Sequence, residues 1–123
     1  MKPQFSHCTP QLPVSDLEAT LEYYRDKLGF TDGWKFGERD GGASRDDLRM
    51  LFAEDKEFVQ DVNNKDHKLP LMWFVKNIDE VLLQFKSSNI VLADDLRLHP
   101  YGLKEFAFVD INGYYIRVAE AAE

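Results

Sequence analysis

The chain has 123 residues, 44 % of them hydrophobic and 30 % charged, enough for one domain to bury a core without disulfides or a structural metal, and too apolar for intrinsic disorder. A net charge of −7 opposes binding to nucleic acid or to an anionic membrane surface. No apolar run reaches the roughly 18 to 20 residues that span a bilayer, and Met1 to Pro10 lacks a basic-then-apolar leader pattern, so a cytoplasmic protein is expected.

Phe5 to Val14 is rich in Pro, Phe and Val and predicts a strand. It contains the single cysteine, Cys8, which cannot form an intrachain disulfide and reads as a small buried hydrophobe. Ser15 with Glu18, or Asp16 alone, provides an N-cap for a helix that Gly29 can end in the left-handed conformation. Phe30 to Gly37 and Leu48 to Ala53 predict strands, with Gly41-Gly42 as a turn between them. Gln60 to Lys68 is polar and breaker-rich and predicts a joint. Beyond it come a strand over Leu69 to Val75, a helix capped by Asn77 with Glu80, and a stop at Asn89. Three more strands are predicted over Ile90 to Leu98, Lys104 to Asp110 and Tyr114 to Ala119, the last two joined by an Asn112-Gly113 hairpin turn.

The two halves repeat. Val14, Leu17, Leu21 and Tyr24 recur as Val75, Ile78, Leu82 and Phe85, each 61 positions later, and the flanking strands and caps recur with them. The expected fold is α+β: two tandem βαβββ modules, 1–59 and 69–123, joined by a linker over 60–68. Neither module can bury its helix face and its sheet alone, so the curved mixed sheets are expected to face each other around a cleft within a single domain. Pairing of modules within one chain or exchange between two copies both remain open, and a homodimer is expected.

Leu12 to Thr20 with Tyr23-Tyr24-Arg25-Asp26-Lys27-Leu28-Gly29-Phe30, and His99 to Asp110 followed by Asn112-Gly113, resemble the opening and closing modules of the glyoxalase/bleomycin-resistance/dioxygenase (vicinal oxygen chelate) superfamily. The bleomycin-resistance branch is the nearest, and Arg45-Asp46-Asp47-Leu48 ahead of Leu51-Phe52, with Trp73-Phe74-Val75 leading into Ile78-Asp79-Glu80, resembles it too. That family usually has Pro after the Asp of the last turn, where Ile111 stands here. The resemblance implies that metal-dependent relatives take ligands at the positions of Thr9, Pro70 and Arg117. Pro offers no ligand atom and Arg carries a fixed positive charge. No metal, no cofactor and no catalytic residue are therefore expected, and His67 and His99 read as surface residues.

With no metal, aromatic and acidic residues carry the remaining signal. Trp34 and Tyr101 fall near places where the resembled branch clamps a planar, positively charged part of an antibiotic, in a groove shared by two subunits. Aromatic faces attract flat rings and cations. Trp73 has the strand parity of Val75 and is expected in the core, so Met72 and Phe74 point to the cleft. Arg117 can hold a carboxylate or phosphate, or pair with Glu105 or Glu54. The candidate ligand-binding residues are thus Trp34, Phe36, Met72, Phe74, Tyr101, Glu105 and Arg117. The expected function is non-catalytic sequestration of a small aromatic, cationic compound of the bleomycin type. Two alternatives are a metal-dependent superfamily enzyme with ligands such as His7, Gln11 and Glu54, and a regulatory or interaction subunit. No nucleophile with an adjacent base and no phosphate-binding glycine loop stands out.

Overall fold

A computed structural model describes residues 1–121. The first half forms a four-stranded sheet from β1 (Gln11–Val14), β2 (Asp32–Phe36), β3 (Asp40–Arg45) and β4 (Leu48–Glu54), in the order β1-β4-β3-β2. The second half repeats the connectivity with β5 (Pro70–Phe74), β6 (Leu92–Leu98), β7 (Leu103–Val109) and β8 (Tyr115–Ala121), ordered β5-β8-β7-β6. In each sheet the first strand runs parallel to the last and the other pairs are antiparallel. Helices α1 (Leu17–Leu28), α2 (Lys56–Val62) and α3 (Ile78–Ser87) complete an α+β tandem-module fold. Among the described residues no helix is long and apolar enough to cross a membrane.

Local chemistry explains the ends of α1. Asp16, of the two predicted caps, accepts from the Ala19 N–H at 2.9 Å, and the Glu54 carboxylate takes the Leu17 N–H at 2.9 Å, so two of the orphan first-turn donors are satisfied. Gly29 ends the helix at φ 77°, and Asn89 takes the same left-handed backbone after α3 at φ 64°. The Asn77 cap does not form. Asn77 itself is left-handed at φ 57° and makes no side-chain cap bond, whereas a capping residue needs an extended backbone. Glu120 of β8 accepts the Ile78 N–H at 2.7 Å in its place.

Four further expectations are corrected. The first strand begins only at Gln11, and residues 1–8 are exposed without regular structure, because Pro10 has no N–H with which to extend the ladder. Cys8 is consequently an exposed free thiol rather than a buried hydrophobe. Gly41 and Gly42 lie inside β3, and the turn falls on residues 37–39. Gly42 faces Trp34 across the ladder, and a Cβ there would run into the Trp34 indole and come within 2.7 Å of the Met50 carbonyl oxygen. Glycine is needed here for room, not for turning. Gly42→Ala is expected to cost about 1 to 3 kcal/mol and to push the indole off the strand; urea denaturation followed by tryptophan emission checks both. Finally, α2 runs through the expected start of the joint at residue 60. Asp55 caps it by accepting from the Phe58 N–H at 3.0 Å.

The helix-covered faces of both sheets feed one hydrophobic cluster. Trp73, 4 % exposed, has the core position its strand parity predicted. Its ring centroid lies 5.3 Å from Phe30 and 6.2 Å from Tyr24 of the first module, and 5.9 Å from Phe108 of the second.

A polar fastening joins the modules beside this cluster, at the β7–β8 turn that Asn112-Gly113 predicted. Asp110 accepts from the Tyr24 hydroxyl at 2.6 Å and from the Asn112 and Tyr114 N–H groups at 2.9 and 3.0 Å. Asn112 accepts the Ser15 N–H at 3.0 Å, and the Tyr114 hydroxyl donates to the Pro13 carbonyl at 2.6 Å. Burial raises the Asp110 carboxyl above its ordinary range even though these donors pull it down.

Candidate ligand-binding surface

Strand alternation gives each sheet a second face, the one turned away from the helices. On the first sheet the register places Trp34 and Phe36 of β2 on this bare face, with Gly42 of β3 and with Arg49 and Leu51 of β4. The Arg49 guanidinium carbon lies 4.8 Å from the Trp34 ring centroid, within cation–π range. Asp32, Trp34, Ser44 and Arg49 line a shallow depression there. Phe36 is 79 % exposed.

On the second sheet Met72 of β5 stands opposite Arg117 of β8, which stands opposite Ala107 of β7. One step along, Phe74, Ala119 and Glu105 form the next row. Here the structure joins three of the candidate residues. Arg117 donates from Nε to Glu105 Oε2 at 2.7 Å and from Nη2 to Oε1 at 3.0 Å, a bidentate pair. Its Nη2 also donates to the Tyr101 hydroxyl at 2.9 Å, and that hydroxyl donates to Glu105 Oε1 at 2.6 Å.

The electrostatics follow from this geometry. Glu105 is only 3 % exposed, yet the Arg117 hydrogen bonds hold its carboxyl below the usual range. The same carboxylate raises the Tyr101 phenol by accepting its hydrogen bond, and it raises the Arg117 guanidinium. Of the two internal partners weighed for Arg117, Glu105 is the one it meets. Glu54 is engaged on the helix side, at the Leu17 amide.

His99 corrects another expectation. It is 8 % exposed, with its ring 5.2 Å from Tyr101 and its Nε2 3.7 Å from the Asp94 carboxylate and without a hydrogen bond. The turn that carries Tyr101 folds the imidazole against the sheet. His67 is exposed, as expected.

Trp34 and Phe36 thus sit on one sheet and Met72, Phe74, Tyr101, Glu105 and Arg117 on or beside the other. Among the described residues neither Trp34 nor Phe36 forms an aromatic pair with Phe74 or Tyr101. Sequence reasoning missed Arg49 and His99. Arg49 was legible in principle, since it alternates with Met50 and Phe52 in a strand whose other face is apolar.

The residues do not fit a divalent cation. Pro70 and Arg117 lie on the bare face of the second sheet, as their parity with Met72 and Tyr115 requires, and neither can ligate one. Among the described residues no three His, Cys, Asp or Glu side chains cluster. The alternative set does not assemble in this chain. Gln11 pairs with Leu51 and Glu54 lies three residues beyond it, so the two point to opposite faces, and His7 bonds Ser6 in the unpaired arm.

The sequence matches the profile of the Glyoxalase/Bleomycin resistance protein/Dioxygenase superfamily over residues 4–118. The chain belongs to this superfamily. Solved structures place the fold there as well. A bleomycin resistance determinant encoded on the transposon Tn5 superposes with a TM-score of 0.82 at 21 % identity, covering 97 % of this chain and 100 % of that one. The bleomycin-binding protein of bleomycin-producing Streptomyces verticillus, complexed with copper(II)-bleomycin, gives 0.76 at 21 % identity over 99 % and 100 %. A lactoylglutathione lyase from Agrobacterium tumefaciens gives 0.72 at 18 % identity over 97 % and 96 %. At such identities the likeness is one of fold, and this superfamily member shares it with a resistance determinant, a bleomycin-binding protein and a lyase. No curated protein matches the sequence.

Proposed function

We propose that this protein binds and sequesters, without turnover, a small flat aromatic cation of the bleomycin type, as a cytoplasmic homodimer whose bare sheet faces form the groove. The observation that carries the reading is the placement of aromatic side chains on those faces. Phe36, Phe74 and Tyr101 are 79, 63 and 53 % exposed, and Trp34 lies beside Phe36 on the same strand. Such a concentration of exposed rings gains nothing in an isolated chain and suits a ligand or partner surface.

The electrostatics support a cationic ligand over an anionic one. Arg117 is neutralised by Glu105 at short range, and the net charge of −7 draws cations. Fold likeness to a bleomycin resistance determinant and to a bleomycin-binding protein agrees with the reading. The seven candidate residues come from both sheets, which is why a groove built from two copies is part of the proposal.

The test is a titration of metal-free protein with bleomycin, followed by tryptophan fluorescence and heat. Saturation at about one drug per subunit is expected, with unaltered drug recovered afterwards. Trp34→Ala should weaken the drug about tenfold, the loss of roughly 1.4 kcal/mol of ring and cation–π contact. Absence of both heat and quenching, or chemical conversion of the drug, would sink the proposal.

A further inference from the structure

His99 is buried on the second sheet without a bond that accounts for it. It is 8 % exposed, and its Nε2 has no hydrogen-bond partner among the described residues, whereas nearly all buried polar atoms in folded proteins have one. It opens the β6–β7 turn, where its backbone pairs with Gly102 and Leu103. Nε2 lies 3.7 Å from the Asp94 carboxylate, and the ring centroid lies 5.2 Å from that of Tyr101 with the planes tilted by 36°.

The charges facing His99 balance while its imidazole is neutral. On β6, Asp94 and Arg97 pair with each other at 3.4 Å, and the register sets them opposite Ala107 and Glu105 of β7. Glu105 pairs with Arg117 of β8, and the Tyr101 hydroxyl bridges that pair. Lys104 alternates to the helix side, where it meets Asp79. Two carboxylates and two guanidiniums therefore cancel. Glu105, held down chiefly by its Arg117 hydrogen bonds, also feels the charge of His99, so the imidazole acts on the whole cluster.

This arrangement responds to a proton. Both nitrogens of an imidazolium donate, which gives the unpartnered Nε2 a bond to make toward Asp94. The competing Asp94–Arg97 contact is long for a hydrogen bond. The β6–β7 register is irregular on both sides of Asp94, as where bulges re-aim side chains. Histidine is also the side chain suited to change charge between pH 5 and 8.

We propose that His99 makes ligand release from the groove pH-dependent: a proton from solvent, bound at Nε2 and shared with Asp94, leaves one uncompensated positive charge behind the Tyr101 ring and drives a cation off that ring. The inference rests on the sequestration reading and adds its regulation. The imidazole covers one face of Tyr101, which is still 53 % exposed, so the free face is the one a ligand meets. A cation there lies about 10 Å from the imidazolium, close enough to cost about five- to tenfold in affinity.

The experiment titrates bleomycin into the full chain at pH 8 and pH 5.5, in wild-type protein and in His99→Gln, and reads the heat. Comparing the two proteins removes the drug's own titration. The ratio of affinity at pH 8 to affinity at pH 5.5 is expected to be about five- to tenfold larger in wild-type protein. Asp94→Asn serves if His99→Gln does not fold. It removes the carboxylate that shares the proton and should move the fall in affinity to lower pH. In drug-free wild-type protein the Tyr101 ring resonances should shift with the same midpoint as those of the His99 ring. Binding with equal ratios in wild-type protein and His99→Gln, an unmoved profile in Asp94→Asn, or Tyr101 resonances indifferent to His99 would each overturn the regulation and leave sequestration standing. Absence of bleomycin binding at both pH values would overturn the sequestration reading and the regulation with it.

Discussion

Replacing Arg117 by Met is expected to destabilise the protein by about 2 to 3 kcal/mol near pH 7, somewhat below the usual cost of breaking a buried pair because a third of the Arg117 side chain is in contact with solvent. The cost falls on Glu105. Its carboxylate is 3 % exposed, and without the guanidinium it keeps only the Tyr101 hydroxyl as a donor. The pH dependence gives the mechanism away. In the natural protein Glu105 is held below its ordinary value, so its contribution is present above the unfolded carboxylate range and is lost as pH falls through the folded value. In the variant the uncompensated carboxylate is pushed up by burial instead. The penalty of Arg117→Met should therefore shrink as pH falls from about 7 to about 4. Urea denaturation at the two pH values measures it. Adding Glu105→Gln should recover most of the loss, since it removes the stranded charge. A penalty that stays constant with pH would show that Glu105 reaches water once Arg117 is gone.

The second large effect is expected at the fastening between modules. Asp110→Ala strands three donors at once, the Tyr24 hydroxyl and the N–H groups of Asn112 and Tyr114, in a place where Asp110 is 6 % exposed and Tyr24 fully buried. A loss of about 3 to 4 kcal/mol follows from the cost of unpaired buried polar groups. Asp110→Asn separates hydrogen bonding from charge. Its carbonyl can serve the two turn amides, and its NH₂ can donate to the Tyr24 oxygen. Burial raises the Asp110 carboxyl, so the folded state binds a proton more tightly than the unfolded one, and its contribution is lost as pH rises through the folded value. The Asn variant should thus lie within about 1 kcal/mol of the natural protein near pH 7 and compare less favourably near pH 4. Equal losses for Ala and Asn would instead assign the stabilisation to the carboxylate charge.

These two clusters show why sequence reading succeeds in some places and stops in others. Asp110 was recognised only as part of a turn, because its partner Tyr24 is 86 residues away. The groove candidates Tyr101, Glu105 and Arg117 were named separately, and the pairing of Arg117 with Glu105 stood as one choice beside Glu54. The β7–β8 register decided between them by setting both on one face, and the same alternation turned Glu54 toward α1. His99 looked like a surface residue before a proline until the turn folded it against Tyr101.

What the sequence determined by itself is local in its physics. Apolar spacing marked α1 and α3, Asp16 and Gly29 marked the ends of α1, Asn112-Gly113 marked the last hairpin, and the 61-residue repeat of these signals announced two modules. Each signal acts within a few residues of itself, where backbone sterics and hydrogen-bond geometry leave few choices. Only the tertiary structure decided what depends on distant chain segments meeting. Gly42 extends β3 because the Trp34 indole crosses it, and the candidate residues divide between two bare faces because alternation and register assign them there. Trp73 keeps an unpaired N–H because the first and second modules close on its ring without supplying an acceptor. Apart from Trp34 and Gly42, which one hairpin brings together, no window of sequence contains those partners, so no local rule could have placed them.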